Sequence, residues 1–281
     1  MSDIRTLITD HIRTIAEAKR LGATIPADHD RLVGNWNALV AHELRAVDKL
    51  SHIATQGDLT KDDFDAPYRE ALVDYNANLD SRAQYGVTNT VATHLYPAML
   101  EAYGTVAVAN YQDAAKAYNE AAGRLADALN KCDPDADTAE VLAQSKAAQS
   151  AWLSIDMLTS EVDQAARAVQ FMARLAGVEN TDDDATAISL LTDTTGAHRR
   201  RVWDGWAATG RGGKWRALID AGAKLKASDL ATLTPYALPE PMQVEHVTTL
   251  SANKVTTTRT TSYVDPEDEK ARASAKAAAR A

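Results

Sequence analysis

Apolar residues recur at steps of three and four along most of the first 177 positions, the period of helices that bury one face. Ile4, Leu7, Ile8, Ile12 and Ile15 predict a first helix, ended by Leu21-Gly22-Ala23-Thr24-Ile25-Pro26. Leu32, Val33, Trp36, Val40, Leu44, Val47 and Leu50 predict a second, with Gly57 as its C-terminal glycine. Thr60 and Asp63 form an approximate capping box for a third, whose apolar face is Phe64, Tyr68, Leu72, Tyr75 and Leu79. Tyr85-Gly86 is expected to close a three-helix unit over residues 1–86.

From Thr88 to Asn130 the only strong breaker is Pro97, which is expected to kink or divide the helix. Tyr111, Ala115, Tyr118, Ala122, Leu125 and Leu129 continue the stripe beyond it. Cys132-Asp133-Pro134-Asp135-Ala136-Asp137 has the composition of a turn. No breaker follows until Gly177, so the stripe Val141, Ala148, Trp152, Ile155, Val162, Val169 and Leu175 predicts one helix of about 60 Å at 1.5 Å per residue. Two long helices about a short turn make an antiparallel hairpin over residues 87–190. Trp152 is expected in its core, where truncation to Ala costs about 3–5 kcal/mol.

Past Gly177 the pattern changes. Glu179 and Asp182 to Asp184 form an acidic loop, followed by a short helix around Ala187 to Thr192. Residues 191–241 combine a basic, Trp-rich segment with a stretch marked by Pro235 and Pro241 that reads as a linker. From Gln243 the period becomes two. Val255, Thr257, Arg259, Thr261 and Tyr263 alternate with Thr256, Thr258, Thr260 and Ser262, and Val244 to Leu250 is a second strand. Asp265-Pro266-Glu267 starts an Ala-rich tail helix with Asp as cap and Pro at its first position. The fold class expected is therefore mainly α: a three-helix unit and a long helical hairpin, then a β-hairpin arm and tail helix over residues 242–281.

Composition narrows this picture. With 45% hydrophobic and 25% charged residues the chain reads as globular rather than disordered. A single Cys excludes an intrachain disulfide, and no apolar run is long enough for a membrane span, so no membrane contact is expected. The net charge is −9, but it is unevenly placed. Residues 198–226 carry eight Lys and Arg against two Asp, a local +6 that leaves −15 elsewhere, and three of the five Trp. Arg199, Arg200, Arg201, Arg211, Lys214 and Arg216, with Trp203, Trp206 and Trp215, are thus candidates for binding a negatively charged partner. Cations neutralise phosphates or carboxylates, and Trp anchors in a pocket or stacks on a base. The competing reading pairs the same cations with acidic loops of this chain.

A lone two-stranded ribbon is marginal in water and leaves open edges, so Val255, Thr257, Arg259, Thr261 and Tyr263 are candidates for pairing with another chain. Catalytic patterns are missing: neither a Gly-rich phosphate loop nor a Gly-x-Ser-x-Gly elbow occurs. His42, Asp48 and His52 invite a metal reading on the second helix, but the Glu-x-x-His pairs of di-iron bundles do not occur with them. No catalytic residue, cofactor or metal is expected.

Two resemblances bear on function. Trp203-Asp204-Gly205 is similar to the Trp-x-Gly turn of the small helical substrates of mycobacterial type VII secretion. Tyr263 with Glu267, and Tyr236 with Glu240, are similar to their Tyr-x-x-x-Asp/Glu tail signal. The layout as a whole (long hairpin, basic Trp segment, ribbon and docking tail, rich in Ala, Thr and Asp) resembles the helical head and neck proteins of actinobacterial tailed phages. That resemblance implies a non-enzymatic virion component, a minor capsid or portal-associated protein. It would be assembled in the host cytoplasm by contact with its own copies and other structural proteins, with nucleic acid nearby. The alternatives are a type VII-secreted or nucleic-acid-associated helical protein, and a helical-bundle metalloenzyme.

Overall fold

The computed structural model describes residues 3–42, 65–70, 73, 81–250, 257–269 and 272. They are mainly helical, with two small antiparallel sheets. None of the helices described is long and apolar enough to cross a membrane. The chain divides into two compact units, Met1–Gln112 and Asp113–Ala281.

In the first unit, α1 (Ile4–Arg20) starts at Asp3, whose carboxylate accepts from the Arg5 N–H. It ends where Gly22, at φ 97°, adopts a left-handed conformation that only glycine takes without steric cost. α2 (Ala27–His42) follows, and α3 (Ser81–Leu129) begins in this unit. Ile8, Trp36, Ala92 and Met99 form the core, with Ile4, Ile12, Leu32, Val33, Val40, Leu95 and Tyr96 packed around it. Up to Val40 the stripes of the first two helices are where the periodicity puts them, and Leu44, Val47 and Leu50 lie outside the described residues.

The third helical partner in this core is α3. Residues 65–70 are helical, as expected for the Thr60–Leu79 segment, yet Tyr68 is 54% exposed rather than core-facing. Phe64, Leu72, Tyr75 and Leu79 lie outside the described residues, as do Asp48 and His52 and the side chain of His42. Tyr85-Gly86 does not end a unit; it lies in the first turns of α3. Nor does Pro97 divide that helix, which runs 49 residues through it. A proline there removes one backbone donor and crowds the carbonyl of Thr93. Packing of Ala92, Tyr96 and Met99 on both sides of it holds the helix together.

The second unit holds the hairpin. Residues 113–129 of α3 pack on α5 (Lys146–Leu175), with Tyr118, Ala122 and Leu125 buried from one side and Ile155, Val162, Ala166 and Val169 from the other. The turn falls at Cys132 to Asp137, as the composition predicts. The return limb is broken, however. Asp137 and Glu140 form a capping box for α4 (Thr138–Leu142), and Ser145 caps α5 anew by accepting from the Ala148 N–H at 3.2 Å. The Gln149 side chain donates to the carbonyls of Leu142 and Gln144, satisfying the interruption. The 30-residue α5 is about 45 Å long rather than 60 Å.

α6 (Asp184–Leu191), capped by Asp183, is almost wholly buried. β1 (Thr192–Asp193) pairs with β2 (Lys224–Leu225), a short ladder that the sequence did not announce. Between them lie α7 (Arg199–Trp206) and α8 (Gly213–Asp220). β3 (Gln243–Leu250) and β4 (Thr257–Val264) form an antiparallel ribbon in continuous register from Gln243↔Val264 to Leu250↔Thr257. Residues 266–269 are helical after Asp265, as the Asp-Pro-Glu start predicts.

Candidate functional site

The basic Trp-rich segment folds as two short helices packed on each other. Gly205 of α7 meets Ala217 of α8 so closely that a Cβ there would lie 3.3 Å from the Ala217 Cβ. Trp203-Asp204-Gly205 is therefore helix interior, not a turn between helices. Trp215 is fully buried; its indole N–H donates to Asp163 of α5 at 2.8 Å, and its ring meets Tyr118 and Trp206. The Trp206 N–H donates to Asp184 at 2.8 Å, and Trp203 stacks parallel on Tyr236. The Tyr236 hydroxyl donates to the Arg199 carbonyl at 2.6 Å, and burial pushes that phenol up to about 12.

The cations are drawn inward too. Arg211 lies over the Trp152 ring at 3.8 Å, donates to the Trp152 and Pro134 carbonyls, and pairs with Asp156. Arg216 pairs with Asp133 and Asp135 in the hairpin turn and with Asp220 on its own helix. Lys214 sits over Trp206, 3.9 Å from the ring centroid, and burial holds its amine below the ordinary lysine range. It opens onto a polar cleft of about 470 Å³ that also contains Ser160, Asp163, Arg167 and Gln170.

The remaining pairs fix the foot of the ribbon. Arg200 pairs with the buried carboxylate of Asp265 at 2.7 Å and donates to the Glu240 carbonyl. The Arg199 guanidinium pairs with Glu267, and its backbone N–H donates to the same carboxylate. His198 contacts Asp268 at 3.1 Å. Hydrogen bonds from the Glu267 N–H and from Arg200 hold Asp265 below the usual carboxylate range. The stretch around Pro235 to Pro241 is thus pinned rather than a free linker, since the Tyr236 N–H also donates to Ala185.

Among the cations singled out in the sequence, Arg199, Arg200, Arg211 and Arg216 hold their own chain together, whereas Arg201 is exposed. In the ribbon, Thr261 and Tyr263 lie opposite His246 and Val244, and Thr257 and Arg259 opposite Leu250 and Thr248. Val255 lies outside the described residues. Val244 and Tyr263, directly opposite each other, are 52% and 69% exposed. Among the described residues this sheet has two strands, which leaves both outer edges open.

The acidic partners escaped the sequence reading. An excess of −15 outside the basic segment announces that partners exist, but Asp133, Asp135, Asp156, Asp265 and Glu267 are chosen by folding across 55 to 83 residues. No family model matches the chain, and no similar curated protein or solved structure was found.

Proposed function

We propose that this chain is a non-enzymatic structural subunit of a large assembly, most readily a tailed-phage particle, and that it joins its neighbours through the ribbon. One observation carries the reading. Among the described residues no third strand pairs with either edge of the eight paired positions, and the ribbon is fixed at the foot by Arg199 and Arg200. An open edge of that length is a template for another strand. Its foot bears an exposed Val244–Tyr263 pair that a neighbour would cover. The ionic clamp gives the arm a defined exit point, so edge pairing between copies has a fixed geometry.

The test replaces residues 246–261 by a short Gly-Ser turn and compares sedimentation of the two full-length forms over a range of concentration. The wild-type chain is expected to self-associate, and its outward-facing β4 amides to gain exchange protection as it does. The shortened chain stays monomeric with unchanged helicity. A wild-type chain that remains monomeric with those amides already protected would overturn the reading.

A further inference from the structure

The first unit contains a pair of histidines that the ribbon reading leaves unused. His11 on α1 and His29 on α2 are both buried, and their Nε2 atoms are 3.1 Å apart. At that distance one ring donates and the other accepts, and one hydrogen lies between them. The rings meet edge to face, 5.2 Å between centroids. The Tyr96 ring of α3 stands against His11 and that of Tyr103 against His29. Tyr103 accepts from Asn110, which also bonds both backbone groups of Thr24 in the α1–α2 connection. The Nδ1 atom of His29 is buried without a hydrogen-bond partner.

We propose that the His11–His29 contact is an acid-sensitive latch that joins α1 to α2 while neutral and lets these two helices come apart when it takes up a proton. A proton taken up by the donating ring goes to its other nitrogen, which leaves the shared hydrogen in place but puts a charge where little water reaches it, and a second proton on the pair sets donor against donor. The groups facing the pair do not compensate. Tyr96 and Tyr103 of α3 present neutral rings, α1 presents no carboxylate to it among the described residues, and Asp30 beside His29 on α2 is the one acidic group acting on it.

Burial, and then the neighbouring His29, push His11 down to about 4. Burial also lowers His29, against the pull of Asp30. The unfolded chain takes up these protons near 6.5, so the folded unit is favoured in full above that pH and loses ground as pH falls from 6.5 towards 4. For His11 alone, lowering pH from 7.5 to 5 raises the opening constant about 30-fold.

Hydrogen exchange of the full chain at pH 7.5 and 5, corrected for the intrinsic pH dependence, tests this. Peptides from 4–20 and 27–40 are expected to open about 30-fold more at pH 5, while peptides from 150–170 stay protected. His11→Gln should flatten that response. Equal opening of the wild-type peptides at both pH values, or an unchanged response in the variant, would sink the proposal. Imidazole NMR of the wild-type chain needs no variant: a His11 ring still neutral at pH 5 supports the latch, and one titrating at its ordinary value overturns it.

Discussion

Trp215 and Trp152 face the same assembly of helices but are held in opposite ways. Trp215 has no exposed surface and its N–H is satisfied by Asp163. Replacing it by Ala removes a large buried ring, and the midpoint of urea unfolding should show a loss of about 3–5 kcal/mol. Trp152 is half-buried under the Arg211 guanidinium, and its indole N–H is buried without a partner. Trp152→Phe keeps a ring for Arg211 and removes the unpaired donor, so its stability should stay within about 0.5 kcal/mol of wild type, because an unmade hydrogen bond is no loss. The helical spacing placed Trp152 on the inner stripe. It could not show that an arginine 59 residues later would cover part of that ring.

Among the elements, helices were legible wherever one face carries the apolar residues, and their interruptions were not. Pro97 reads as a breaker, yet α3 passes through it because buried neighbours hold both sides. Gln144-Ser145 reads as helix, yet the helix stops there, because the Ser145 hydroxyl and Gln149 amide offer the backbone better partners than another turn would. Ser145→Ala should cost about 1 kcal/mol in urea unfolding, the usual value of an N-cap. The ribbon was legible for the opposite reason. Its two-residue period is local, and so is its register, whereas its foothold on α7 depends on contacts about 65 residues away.

Across the whole chain, the charge pattern marked the right segment but not its use. A cluster of +6 in an acidic chain fits a partner-binding patch and an internal staple equally well, and most of its arginines staple. This separates the three adjacent arginines. Arg199→Ala with Arg200→Ala should free the segment 265–269, seen as faster exchange there and as easier proteolysis at the ribbon foot. Arg201→Ala should leave both unchanged. Since the Arg199–Glu267 pair is partly solvated, raising salt should loosen the wild-type foot in the same direction, whereas the more buried Arg200–Asp265 pair resists screening. Equal behaviour of the three arginines would show that the clamp does not hold the arm.

The grip of Arg211 and Arg216 on the hairpin turn has a chemical corollary. The chain's one thiol, Cys132, lies inside that turn, buried and donating to the Ala128 carbonyl, and burial pushes it up, away from the reactive thiolate. An alkylating reagent therefore meets it only when Asp133, Pro134 and Asp135 slip their arginines. Its labelling rate becomes a clock for the opening of this one turn, read from a single atom without altering any residue.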